Sequence, residues 1–197
     1  MNIKILCIAG SLRKDSLNKK LLKIAMSGAA AAGAKVTYVD LKDYPLPIYD
    51  GDLESSSGLP ENAVKLKAIF KEHDGLLFAS PEYNSSYSAA WKNCIDWVSR
   101  PVEGEKPLSC FSGKIAGLMS ASPGATGGMR ALVHVRAILE NIQVMVVPEQ
   151  QSIPQANSAF SEDGEHLNDA KKDAAVRNIG ARVAEVCSRL AKVENAR

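Results

Sequence analysis

The chain has 197 residues, with 24 Lys plus Arg against 22 Asp plus Glu, a formal net charge of +2 and 46% hydrophobic residues. That length suits one domain spanning 1–197 with a core that needs no staples, and the composition excludes disordered and fibrous classes. The near-balance of charge provides no electrostatic footprint for duplex nucleic acid or an anionic membrane, so neither is expected as a partner.

Short apolar runs alternate with helical spacing from end to end. Residues 3–9 (IKILCIA) read as a buried strand, and Leu17, Leu21, Leu22, Ile24, Ala25 and Ala29 place a helix over 17–32. Val36-Thr37-Tyr38-Val39 is a second strand, ending near Leu41, and the Pro-, Gly- and Ser-rich segment 43–60 reads as a loop. Helical spacing resumes at Val64, Ile69 and Phe70, and a third strand over 75–80 stops at Pro81, which cannot donate to a ladder. Segment 86–100 is amphipathic, with Tyr87, Ala90, Trp91, Cys94, Ile95, Trp97 and Val98 sharing an arc of about 160°. A fourth strand covers 115–121, a helix 128–142, a fifth strand 144–147 and a last helix about 168–193. Segment 148–167 carries no clear period and is expected to loop around a sheet edge. Five strands each followed by a helix predict an α/β fold, a mostly parallel five-stranded doubly wound sheet with helices on both faces.

In such a sheet a ligand binds outside the carboxyl ends of the strands, where the strand order reverses. The loops after strands one, three and four are therefore the ones to read. GSLRKDSLN (10–18) opens a helix with Ser16 as its natural cap. The free N–H groups of that helix start, with Ser11, Ser16, Asn18 and Arg13, suit a phosphate. It is neither the dinucleotide fingerprint G-x-G-x-x-G nor a Walker loop, and taken alone it also describes an ordinary capped turn. SPEYNSSY (80–87) clusters Pro81, Glu82, Tyr83, Asn84 and Ser85, a ring beside polar groups that suits a flat heterocycle. SASPGATGGMR (120–130) adds the small donor Ser122 and a glycine-rich wall at Gly124, Gly127 and Gly128 that lets a ligand approach the backbone. A phosphate site, an aromatic platform and a glycine-rich wall meeting at one crevice describe a mononucleotide with a planar ring, and flavin mononucleotide (FMN) fits that description.

GSLRKDSLN, SPEYN followed by WKNCIDW, and SPGATGGMR, in that order, resemble the three signatures of the NADPH-dependent FMN reductase family. The resemblance covers roughly residues 3–150 and implies a flavodoxin-like fold, with bound FMN as cofactor and NADPH or NADH as co-substrate. By the family pattern Ser11, Arg13, Ser16, Leu17 and Asn18 hold the FMN phosphate. Pro81, Glu82, Tyr83, Asn84 and Ser85 line the ribityl chain and the ring, and Ser122 with Gly124 closes the other side. The implied activity passes hydride from NAD(P)H through FMN to a small electron acceptor (a quinone, free flavin, an azo compound or chromate) by ping-pong kinetics. Trp91 departs from the family, where an aliphatic residue is the commoner choice, and this touches only local helix packing.

No protein nucleophile is expected, because the flavin carries the chemistry. Cys7 and Cys94 fall on core positions, and His134, in mid-helix, reads as a surface or satisfied residue. The four cysteines (Cys7, Cys94, Cys110, Cys187) show no C-x-x-C spacing and the three histidines are dispersed, so no metal site is expected. With no apolar run near the roughly 20 residues of a membrane span and no signal peptide in MNIKILCIAG, the chain reads as cytoplasmic with reduced thiols. The competing reading, a flavodoxin-type electron carrier without a nicotinamide site, calls for a strongly acidic surface. A homodimer or homotetramer is expected from surplus apolar surface on two helices: Met129, Val133 and Ala137 on one, and the wide arc edged by Trp91 and Trp97 on the other.

Overall fold

A computed structural model describes residues 2–194. In chain order the elements are β1 (Lys4–Ala9), α1 (Leu17–Ala31), β2 (Lys35–Asp40), α2 (Gly51–Ser57), α3 (Glu61–Lys71), β3 (Gly75–Ala79) and α4 (Ala89–Val98). After these come β4 (Ile115–Ala121), α5 (Met129–Asn141), β5 (Met145–Ile153) and α6 (Ala170–Glu194). The strands form one all-parallel sheet in the order β2-β1-β3-β4-β5. The chain leaves β1 for β2 on one side and returns to β3 on the other, so the strand order reverses between β1 and β3. There Ala9 pairs with Ala79 in register, and the Gly10 N–H donates to the Ala79 carbonyl.

Alternation along each inner strand feeds two cores. Ile5, Cys7, Ala9, Leu77, Ala79 and Met119 pack beneath α1 and α6, whereas Leu6, Ile8, Leu76, Phe78, Ala116 and Leu118 pack beneath α3, α4 and α5. Burial on both faces explains why these strands read as continuous apolar runs. Helices α1 and α6 cross with almost no side chain between them. A Cβ on Gly180 would fall onto the Ala25 carbonyl, and one on Gly28 onto that of Arg177.

Three expectations change. The segment 43–60 is not all loop: a 3-10 turn at Leu41–Asp43 leads into it and α2 lies within it, with Asp50 capping α2 through the amides of Asp52 and Leu53. The fifth strand does not stop at 147. It bulges through Pro148 and resumes, with Gln150 to Ile153 pairing Leu118 to Ala121. Arg136 of α5 donates to the carbonyls of Val146 and Val147 and to Gln150, satisfying backbone groups that the bulge would leave open. The wide apolar arc on α4 is not surplus, because Trp91 and Trp97 are both fully buried. Trp97 is covered by the chain's own 47–49 segment: its Nε1 donates to the Pro47 carbonyl at 2.8 Å and the Tyr49 ring meets it edge-on at 5.0 Å. Trp91 packs edge-on against Phe78.

Candidate active site

The first loop is shaped by its own hydroxyls. Ser16, extended at φ −79° and ψ 125°, accepts from the Lys19 N–H at 3.4 Å and caps α1, and Ser11 Oγ accepts from the Arg13 N–H at 3.4 Å. Ser11 and Ser16 are buried, while the Arg13 side chain is exposed. Helix geometry gives the Leu17 and Asn18 N–H groups no intrahelical acceptor, so this end of α1 favours an anion. The Asn18 amide closes the strand ends together: its Nδ2 donates to the Ala121 carbonyl and its Oδ1 accepts from the Ala121 N–H, both at 2.9 Å. Asn18 thus spends much of its polar capacity on β4.

The second loop is a two-residue hairpin. Tyr83 and Ser86 exchange both backbone hydrogen bonds, at 2.9 and 3.1 Å, around Asn84 and Ser85. Those two residues have φ of +50° and +65°, a left-handed pair that matches a type I′ turn. Pro81 is buried and the Tyr83 ring half exposed. The Glu82 carboxylate turns toward α5, accepting from the N–H groups of Arg130 at 3.0 Å and Ala131 at 3.3 Å. The loop is tied down at its far end too, where Ser88 caps α4 and donates to the Gly10 carbonyl.

Two glycines of the third loop are required by the chain's own packing. Gly127 and Gly128 are left-handed, at φ +63° and +89°, and a Cβ on Gly127 would stand 2.6 Å from the backbone at Ile153–Pro154. One on Gly128 would collide with Ser120. The close approach they permit includes the chain's own atoms, the Ile153–Pro154 backbone at Gly127 and the Ser120 side chain at Gly128. Ser122 remains at the strand end, its N–H donating to the Ile153 carbonyl and its Oγ accepting from the Gly124 N–H at 3.2 Å.

Ser11, Arg13, Ser16, Leu17, Asn18, Pro81, Glu82, Tyr83 and Ser122 line one cleft at the carboxyl ends of β1, β3 and β4. Ala121 and Pro123 also line it, apolar neighbours of Ser122 that carried no signal of their own. Asn84, Ser85 and Gly124 stand outside this wall, in the turn and in the loop behind it. The enclosed space is about 70 Å³, room for a phosphate-sized group, with the half-exposed Tyr83 on its wall. Larger cavities of about 420 Å³ beside α1 and about 520 Å³ beside α3 lie away from the reversal in strand order. Burial pushes the Cys7, Cys94 and Cys187 thiols up to about 12, which removes their nucleophilic form at neutral pH.

The sequence model of a family described as NADPH-dependent FMN reductase matches residues 3–158. The chain belongs to this family. Among curated relatives, an NAD(P)H-dependent FMN reductase of Pseudomonas aeruginosa is 34% identical over 181 residues, 91% of this chain and 93% of the relative. A 2-hydroxy-1,4-benzoquinone reductase of a Burkholderia species is 34% identical over 77% of this chain and 78% of its own length. Among solved structures, a flavoenzyme NAD(P)H:(acceptor) oxidoreductase from Paracoccus denitrificans superposes with a TM-score of 0.76 at 28% identity, covering 95% of this chain and 98% of that one. The chain is accordingly a flavodoxin-like NAD(P)H-dependent oxidoreductase, with FMN as cofactor and NAD(P)H as co-substrate. Its cleft fits an FMN reductase. Buried hydroxyls, a helix start and an exposed guanidinium converge there, while the Glu82 carboxylate is engaged by α5 amides.

Proposed function

We propose that FMN occupies the cleft between the three loops and that the whole chain serves as one flavin-binding domain. The N–H groups of Leu17 and Asn18, the hydroxyls of Ser11 and Ser16 and the guanidinium of Arg13 would hold the phosphate. Pro81 to Ser85 would flank the ring on one side, and Ser122 with the adjoining Gly124 loop on the other. The observation that carries this reading is the meeting of all three loops at the reversal in strand order, with buried polar side chains around a phosphate-sized space. When bound, the flavin accepts hydride from a nicotinamide and passes reducing equivalents on. The chain's part is to fix the phosphate, to leave the rim by Tyr83 open, and to offer one mouth to both substrates in succession. That single mouth is the reason to expect ping-pong kinetics.

Relatives named as quinone reductases make a small quinone the favoured acceptor, with free flavin, azo compounds and chromate as comparison substrates. A net charge of +2 argues against an acidic electron carrier. Four free cysteines suit the reducing cytoplasm, and the exposed strip on α5 suits a homo-oligomer. The test is the absorbance spectrum of the purified protein, with the released flavin identified after denaturation. FMN at about one per chain is expected, since the domain has one such crevice. FAD as the only flavin, or none taken up on reconstitution, would overturn the reading.

A further inference from the structure

The Tyr83–Ser86 hairpin cannot hold its shape by itself. It has a single bridge pair, far short of the pairing that makes a hairpin stable alone. Its second turn residue, Ser85, sits at φ +65°, where glycine is the usual choice and a side chain is strained. Both ends of the hairpin are instead fastened to one helix. At the leading end, Glu82 accepts from the Arg130 and Ala131 N–H groups, and its other oxygen lies 3.7 Å from the Arg130 guanidinium. At the trailing end, Ser86 Oγ and His134 Nδ1 share a hydrogen bond of 2.9 Å, and the Tyr87 ring meets the imidazole edge-on at 6.4 Å.

The arrangement serves both parties. The N-cap of α5 is Gly128, which has no side chain to cap it, so Glu82, 48 residues before Arg130 in the chain, supplies the missing acceptor. In return Arg130 and His134, one turn apart on α5, hold the two ends of a strained turn whose first residue, Tyr83, lines the cleft.

We propose that His134 is a positioning residue for the flavin: through Ser86, and together with Glu82, it pre-forms the left-handed Tyr83–Ser86 turn that the ring is bound against. This rests on the flavin reading of the cleft. His134 touches neither that cleft nor the reacting atoms, and it acts by removing the ordering cost that a loose turn would impose on binding.

The experiment is a fluorescence titration of apo-protein with FMN, for wild type, Ser86→Ala, His134→Ala, the double variant and His134→Asn, with a thermal melt of each. Each alanine variant is expected to raise the FMN Kd about threefold to tenfold, the worth of one hydrogen bond. The double variant should be no weaker than the worse single one, because both remove the same bond. His134→Asn, whose side-chain amide reaches toward Ser86, should restore most of the affinity. Melting temperatures of the single variants should stay within about 2 °C, since both side chains lie on the surface rather than in the core. Unchanged affinity in both alanine variants, additive losses in the double variant, or losses that track melting temperature and are not rescued by asparagine would each overturn the inference. Wild-type apo-protein that takes up no FMN would sink the flavin reading and this inference with it.

Discussion

Arg13 stands exposed at the rim of the cleft, two residues from the buried Ser11 whose hydroxyl holds the Arg13 N–H. A guanidinium held this way by its backbone, with its side chain free, is suited to close over a phosphate. Arg13→Ala is expected to weaken FMN binding by about 1.5–3 kcal/mol, the range for a hydrogen bond to a charged group. Its thermal melt should match that of wild-type apo-protein, and an unchanged affinity would move the phosphate elsewhere. The cysteines illustrate the opposite case, of side chains with reactive chemistry that the fold disables. Cys7, Cys94 and Cys187 have thiols pushed up to about 12 by burial, so the folded state keeps its protons where the unfolded chain has lost them. Their stabilising contribution is therefore complete below the ordinary thiol range and is lost as pH rises from about 9 toward 12. At pH 8 a thiol reagent should react slowly with the native protein and quickly with all four cysteines after denaturation. Cys94→Ala should retain NAD(P)H oxidation, and its loss would give that thiol a role in turnover.

Helices α1 and α6 depend on the absence of side chains where they cross. Adding a Cβ at Gly180 places it against the Ala25 carbonyl and 2.9 Å from the Ala29 nitrogen, all backbone, so the helices themselves must separate. Gly180→Ala is expected to cost about 1–3 kcal/mol of stability, measured by denaturant unfolding, with the overpacking spread along the contact. This glycine was invisible in the sequence, where it interrupts a helical pattern without any local signal. The same division runs through the other elements. Strands β1, β3 and β4 were legible because burial on both faces leaves unbroken apolar runs, and the loops after them because hydroxyls, a helix cap and a ring stand at strand ends. The end of β5 was hidden because Pro148 mimics a terminator, and the carbonyls beside the bulge are bonded by Arg136, from another element. The wide arc of α4 misled because its cover, Pro47 and Tyr49, lies about 50 residues earlier in the chain. Gly127 and Gly128 signalled close approach, and the intrachain atoms that come close, at Ile153–Pro154 and at Ser120, belong to other elements and left no mark in the local sequence.

For the whole molecule, the proposal that one cleft serves both substrates in turn predicts parallel double-reciprocal lines when NAD(P)H and a quinone are varied together. Intersecting lines would require both to be bound at once. The last expectation concerns assembly. With Trp91 and Trp97 buried inside the chain, the case for a partner copy falls on α5, where Met129 is 51% and Val133 60% exposed and Ala137 lies one turn further on. The opposite face of the same helix already buries Ala131, Leu132, Val135 and Leu139 in the sheet, so this strip is apolar surface that the fold itself leaves uncovered. Single exposed apolar residues are ordinary, but three in line at helical spacing, beside the hairpin that borders the cleft, form a patch suited to a symmetric contact. A second copy covering this strip would also stand next to the open rim where the ring is expected to lie. Val133→Glu places a charge in the middle of the strip, on the side away from the core, and so should leave the fold and the melting temperature of a monomer intact. Light scattering is expected to give at least a dimer for wild type at micromolar concentration and a smaller species for Val133→Glu. A monomeric wild type would overturn the assembly, and an oligomer unchanged in the variant would move the contact off α5.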